Sequence, residues 1–286
     1  MKDKDLHKAN TLLLKCKDHL ISNENYKLMI HDSLDMLVTF PVPQDLEKYY
    51  DSKEYQSHNK SKSFFLDALY NGVKKRAFKR KKSLFNKTHP LTILDFGAGT
   101  GDFLLYCEAQ GYRVSGVEPN QNARNQAKEK GLKLENDLHS YTGKKFDVIT
   151  LWHVLEHVPN LTDCVDQLKN LLSDNGQLFI AVPNFKSFDA SYYKEFWAAY
   201  DVPRHLWHFS QKSIHVIFEA YGFNVINTHP MKYDSFYVSL LSEKNKTGMY
   251  NFIKAFFIGL ISNLKATQTS EYSSLIYELK HTKKSS

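Results

Sequence analysis

Residues 93–102 read Ile-Leu-Asp-Phe-Gly-Ala-Gly-Thr-Gly-Asp, and no other stretch constrains the fold so strongly. Leu91, Ile93 and Leu94 lead into it, and Phe103, Leu104 and Leu105 lead out. The pattern predicts a strand, a glycine turn and a helix, the unit on which nucleotide sites are built. Gly97, Gly99 and Gly101 follow G-x-G-x-G, not the G-x-G-x-x-G of dinucleotide enzymes, and no Gly-Lys-Ser/Thr ending marks a Walker loop. Asp95 stands just before the first glycine. A pyrophosphate wants bare N–H groups with no carboxylate nearby. An acid beside the turn suits a ligand that carries positive charge and no phosphate.

From Leu91 onward strands and helices alternate. Candidate strands are 91–96, 112–118, 132–135, 146–151, 177–182, 223–229 and 273–280, and candidate helices 101–110, 120–130, 161–172 and 211–221. Gly111, Gly131, Gly176 and Gly222 fall where left-handed helix C-caps want glycine. Such alternation implies an α/β fold, a mostly parallel sheet with helices on both faces. Two segments break the rhythm: aromatic residues 183–210, and residues 231–272, which hold an apolar helix-like piece from Tyr250 to Leu264. Residues 1–60 read as a polar, irregular arm, and residues 61–85 as a helix. The domain division is therefore an arm (1–60) and a main domain (61–286) carrying both inserts. There is no internal repeat.

The second strand ends in Glu118, 17 residues after Gly101, where nucleotide folds place an acid that accepts hydrogen bonds from ribose hydroxyls. Asp137 follows the third strand and can meet an adenine amino group, with Leu138 covering the ring. The fourth strand runs into Trp152-His153-Val-Leu-Glu156-His157-Val-Pro159, at the edge where open α/β sheets bind ligands. S-adenosylmethionine, with its sulfonium, ammonium and adenosine, fits this constellation.

On these residues the chain resembles class I S-adenosylmethionine-dependent methyltransferases, in the broad group that contains the ubiquinone-biosynthesis O-methyltransferases. The matching pieces are Leu94 to Gly101, Val117-Glu-Pro119, Asp147 to Leu151, Leu155 to Pro159 and Gly176 to Pro183. The resemblance implies a Rossmann-like, seven-stranded sheet with an antiparallel last strand. It also implies that Asp95, the three glycines and Glu118 hold the cofactor, with Trp152 and His153 near its methionine end. Similar sequences carry an N-terminal zinc ribbon. Here Thr39-Phe-Pro-Val-Pro43 and Tyr49-Tyr50 remain, but Leu34 and Asp35 stand where cysteines are expected, so the arm reads as a ribbon that has lost its metal and covers the active site.

Methyl transfer needs an aligned nucleophile, a dry site and, for a hydroxyl, a base. His157 and His205 are the candidate bases. Arg204 would orient a polar group, and Tyr193, Trp197 and His208 would line the acceptor site within the 183–210 lid. Asp201 and Arg204 could equally pin the insert to itself. A metal on His205, His208, Asp201 and His157 is chemically conceivable, and related quinone methyltransferases can use a divalent ion, but no cysteine pair supports a site and no metal is expected. Lys74 to Lys82 holds seven basic residues in nine, which suits a solvated face, an anionic membrane surface or RNA. The net charge of +7 mildly favours anionic partners. The Asn/Asp-Pro-Pro-Tyr signature of base amino-group methylation is absent; Val182-Pro183-Asn184-Phe185 stands after the fifth strand. Three spaced cysteines read as free thiols, no secretory signal or membrane span is evident, and a cytoplasmic location is expected. The expected function is methylation of a small molecule, O-methylation foremost. The alternatives are an RNA or protein methyltransferase and a non-catalytic cofactor-binding subunit, and an oligomer is allowed.

Overall fold

The computed structural model describes residues 6, 8–50, 76–85 and 91–282. Its main sheet has six strands: β4 (Thr92–Phe96), β5 (Arg113–Val117), β6 (Phe146–Trp152), β7 (Leu172–Pro183), β9 (Phe223–Pro230) and β10 (Ser274–His281). Their spatial order is β5-β4-β6-β7-β10-β9. β5, β4, β6 and β7 pair in parallel, and β10 runs antiparallel between β7 and β9. The strands at the centre are near-continuous apolar runs because helices cover both faces. Helices α1 (Asp102–Glu108), α2 (Gln121–Glu129), α3 (Leu161–Leu171) and α5 (Gln211–Glu219) follow β4, β5, β6 and β8, the last being the short strand Trp207–His208.

The seventh strand expected at 132–135 is reduced to a single bridge between Val117 and Glu135. Leu132 and Leu134 are buried, but backbone pairing stops at Glu135 N–H to Gly116 O (3.0 Å) and Glu118 N–H to Glu135 O (2.9 Å). Two bonds close the sheet edge without making a ladder. Gly176 is also not a helix cap. β7 begins at Leu172, directly after α3, and Gly176 lies inside it against the Leu172 side chain. The predicted helix at 61–85 falls mostly outside the described residues, with 76–83 helical.

The arm is not irregular. β1 (Ala9–Lys17), β2 (Asn25–His31) and β3 (Leu37–Phe40) form an antiparallel sheet that β8 completes. Two side chains organise its turns. The Asp18 carboxylate accepts from Leu20 N–H (3.0 Å), Ile21 N–H (3.3 Å) and Ser22 N–H (2.9 Å). His31 Nδ1 accepts from Ser33 N–H (3.1 Å) and Leu34 N–H (3.0 Å). Gathering turn N–H groups around one acceptor replaces the organising role a metal would have. Asp18 then meets Arg204 Nη2 at 2.9 Å, and Arg204 is also bonded to the half-buried Asp201 (2.6 Å), so an ion triad with a buried Asp18–Arg204 pair joins arm to body.

The insert at 183–210 contains α4 (Phe188–Tyr193) and two 3-10 turns. The insert at 231–272 is a helical hairpin, α6 (Asp234–Thr247) and α7 (Phe252–Thr269). Asp189 ties both to the sheet by accepting from Trp197 Nε1–H (2.8 Å), Ser262 Oγ–H (2.6 Å) and Ser273 Oγ–H (2.7 Å).

Candidate functional site

The chain leaves β4 for β5 on one side and returns to β6 on the other, so the switch point of the sheet lies between β4 and β6. Asp95 and Thr150 face each other there, and Thr150 Oγ1–H donates to Asp95 Oδ1 at 2.5 Å. Burial pushes the Asp95 carboxyl up to about 6, against the lowering by Thr150 and the Lys81 amine. Burial likewise pushes Lys81 down to about 8, against the pull of Asp95 and Asp234. A buried acid with its charge disfavoured is a site for a cation.

All three glycines adopt positive φ, 74° at Gly97, 56° at Gly99 and 75° at Gly101. Packing alone also demands glycine at two of them. A Cβ on Gly97 would meet Val154 Cγ2 at 2.3 Å, and one on Gly101 would meet Leu132 Cδ2 at 2.4 Å. Nothing lies within 4 Å of a Cβ built on Gly99, so the turn is approachable there. Glu118 Oε2 accepts from Gly99 N–H (2.8 Å), and Glu118 Oε1 from Asn120 N–H (2.9 Å), which aims the acid along the turn. Asp137 caps the next turn through Ser140 N–H (3.3 Å), and Leu138 is built into the main core rather than standing open as a ring cover. Trp152 Nε1 is buried with no hydrogen-bond partner among the described residues, and its ring lies 4.3 Å beneath the Lys81 amine.

These residues suit S-adenosylmethionine: a buried acid for a cation, an approachable glycine turn, an acid beside it for ribose hydroxyls, and an unpartnered indole N–H.

After β6 the chain turns sharply, with His153 at φ 56°. His153 Nδ1 lies 3.4 Å from Glu156 Oε1 and Nε2 lies 3.3 Å from Asp234 Oδ2 at the start of α6. Burial opposes a charge on His153, but Asp234 and Glu156 outweigh it and push its pKa up to about 10. His153 is therefore a cation at neutral pH. The Glu156 carboxylate is 1% exposed, and neither oxygen makes a hydrogen bond within the described residues.

His157 and His205 meet edge to face with ring centroids 4.5 Å apart. Burial and His205 push His157 down to about 4, so it is neutral. Its Nδ1 lies 3.1 Å from Arg204 O, which can only accept, and 2.9 Å from the Tyr50 hydroxyl of the arm. His205 Nδ1–H must likewise donate to Ala199 O (2.9 Å). That leaves His205 Nε2 as the acceptor nitrogen, with Asp201 Oδ2 at 3.9 Å and Glu156 Oε1 at 4.0 Å. Glu156, His157 and His205 each offer a donor atom within 4.8 Å of the others, a set that could hold a divalent ion. This grouping takes Glu156 in place of Asp201 and His208.

Four residues expected to contact the acceptor are packed or hydrogen-bonded within the protein. Tyr193, Trp197, Arg204 and His208 are each no more than 4% exposed. Tyr193 and Trp197 belong to a hydrophobic cluster that seats the arm on the lid. Arg204 is held by Asp18 and Asp201. Thr39 Oγ1–H donates to His205 O (2.6 Å), so His208 must donate its Nε2–H to Thr39 Oγ1 (3.0 Å). A lid that packs against a second sheet needs its aromatics for that interface. Tyr50, Glu156, Lys81 and Asp234 were given no role by sequence reasoning. The Tyr49-Tyr50 pair and the Leu155-Glu-His-Val-Pro159 run were their signals.

Residues 66–228 match the family described as a methyltransferase domain. The chain belongs to this family. Its fold and family are those of class I S-adenosylmethionine-dependent methyltransferases. The ubiquinone biosynthesis O-methyltransferase of Histophilus somni is 36% identical over 106 residues, 32% of this chain and 44% of that relative. The C-methyltransferase NovU of Streptomyces niveus is 25% identical over 153 residues, 48% of this chain and 34% of that relative. The chain thus spans less than half the length of these curated relatives. Among solved structures, the O-methyltransferase from a trans-AT PKS multienzyme of Brevibacillus brevis, in complex with S-adenosyl-L-homocysteine, matches with a TM-score of 0.52. It is 12% identical, with 76% of each chain covered, a likeness of fold. In the methyltransferase domain the glycine turn follows β4 and the segment from Trp152 to His157 leaves the neighbouring β6, with Val154 packed against Gly97.

Proposed function

We propose that this chain transfers a methyl group from S-adenosylmethionine to a hydroxyl of a small-molecule acceptor. The observation that carries the reading is the His157–His205 pair, its rings 4.5 Å apart edge to face, with the buried Glu156 carboxylate beside it just beyond the strand that faces Asp95. The cofactor supplies an electrophilic methyl on a sulfonium. Asp95 and Glu118 would hold its ammonium and ribose, with Gly99 at the point of close approach and Asp137, Trp152 and His153 around them. His205 Nε2 takes the acceptor's proton, and Glu156 and Asp201 stabilise the imidazolium that results. His157 and Tyr50 fill the adjoining wall and exclude water. Neither an amine that is already neutral nor a thiolate needs that proton acceptor, so the histidine pair favours oxygen.

Three cations of the basic run are packed against the body, while Arg76 and Lys79 are exposed. Arg80 Nη2–H donates to Pro230 O, Lys81 is packed over Trp152 and Phe103, and Lys82 sits over Tyr112 (5.8 Å). These cations are used against the body. The test is calorimetric titration with S-adenosylhomocysteine, followed by transfer of labelled methyl to pools of phenols, amines and RNA. Cofactor binding with label in the phenol pool supports the reading. Label in amines or RNA overturns the acceptor class, and binding without transfer to any pool overturns the enzyme.

A further inference from the structure

Helix α7 is packed inside out for a helix of a water-facing domain. Its buried positions are mostly small: Ala255, Gly259, Ser262 and Ala266, together with Ile258. These let α6 approach closely; a Cβ on Gly259 would lie 2.8 Å from the Phe236 ring. The opposite arc carries the large apolar side chains. Phe252 is 68% exposed, Ile253 74%, Phe256 54%, Phe257 55% and Leu264 58%, and Met249 in the connecting turn is 73% exposed. Scattered exposed apolar residues are ordinary, but a contiguous aromatic and aliphatic face on one helix marks an interaction surface.

The exposed charge of the hairpin has one sign. Lys232, Lys244, Lys246 and Lys265 are all exposed on the hairpin. Its three carboxylates are engaged: Asp234 contacts His153 (3.3 Å), buried Glu243 contacts Lys254 (3.1 Å), and Glu271 accepts from Asn184 Nδ2–H (2.6 Å). A second copy on this face would bring lysines towards lysines. A surface of anionic headgroups neutralises them and accepts the apolar side chains. None of the described helices is long and apolar enough to cross a membrane, so α7 is suited to lie on a bilayer, not through it.

We propose that the α6–α7 hairpin is a docking surface for an anionic lipid bilayer, with α7 parallel to the membrane plane and its Phe and Ile side chains in the headgroup boundary. The inference is independent of the acceptor and of methyl transfer. Asp234, in the first turn of α6, touches His153, so docking would bring the histidine corner to the membrane side.

The full chain is sedimented with vesicles of equal phosphatidylglycerol and phosphatidylcholine, and with phosphatidylcholine alone. The expected result is binding to the anionic vesicles that weakens with salt. A triple variant Ile253→Asn, Phe257→Ser, Leu264→Ser should lose about tenfold or more in vesicle affinity, with S-adenosylhomocysteine affinity unchanged. Should that variant fail to fold, Ile253→Cys carrying an environment-sensitive dye gives a second reading, since Cys16, Cys107 and Cys164 are buried. Its emission should shift to the blue on anionic vesicles. The proposal is overturned if the wild type stays in the supernatant with both vesicles, if the triple variant binds as well as the wild type, if the dye does not respond, or if the wild type is a dimer that the triple variant dissolves.

Discussion

Asp95, Gly97, Gly99 and Gly101 come from one strand and the turn after it. Tyr50, Glu156, His157, Asp201 and His205 come from the arm, the end of β6 and the lid, and meet only in the folded chain. The first region depends on local backbone geometry, with each glycine demanded by its φ or by a close neighbour. The second depends on an ion triad and a hydrophobic cluster that press the arm sheet onto the lid. Cofactor binding and acceptor chemistry should therefore be separable by mutation.

The sharpest separation is His205→Gln. Loss of a positioned base should lower kcat by about 10²–10⁴-fold, with S-adenosylhomocysteine affinity unchanged by calorimetry. Parallel loss of both would show that the two regions are one. Next is Arg204→Met, which leaves Asp18 buried, and Asp201 half-buried, without their partner. Breaking such a group costs about 3–5 kcal/mol, read as a lower urea midpoint. A rise in KM at unchanged stability would return Arg204 to the acceptor site. Asp95→Asn removes the buried acid for a cation and should weaken cofactor binding by roughly 1.5–3 kcal/mol, while leaving the arm seated.

The histidines on either side of Glu156 should respond to pH in opposite directions. His157 is pushed down to about 4, so the unfolded chain takes up its proton first. The stability this contributes is present above the ordinary histidine value of about 6.5 and is lost as pH falls toward 4. His153 is raised to about 10, Asp234 and Glu156 outweighing the effect of burial. Its contribution is full below about 6.5 and is lost as pH rises toward 10. Urea midpoints across pH should show a flatter acid limb in His157→Gln and a flatter alkaline limb in His153→Gln. The smallest effect is expected for Tyr50→Phe. Removing one hydrogen bond costs about 0.5–1.5 kcal/mol, and kcat should fall more than cofactor affinity, because Tyr50 touches His157 and not the turn.

Most of the main domain was legible because its signals are periodic and local. Strands at Leu91–Phe96 and Phe146–Leu151 were apolar runs ended by turn residues, and the alternation with helices predicted the parallel sheet. The strand at 132–135 misled because Leu132 and Leu134 alternate as a strand would, while the edge lacks a ladder to extend it. The arm misled in the other sense. Its first strand is mostly exposed, and the sheet is held by Asp18, His31 and a strand from residues 207–208, none of which sequence proximity reveals. The aromatics of the lid were expected to line the acceptor site because crowding looks alike in a pocket and in an interface. Their burial shows an interface.

The sequence by itself determined the fold and the cofactor turn, since a strand, a positive-φ turn and a helix are specified by residues a few positions apart. Only the tertiary structure decided which nitrogen of each histidine is the acceptor and which acid lies beside it. Those properties depend on burial and on partners far along the chain: Ala199 O fixes the tautomer of His205, and Glu156 closes the corner. Electrostatics of this kind arises from the assembled surroundings, so composition and spacing alone carry no record of it.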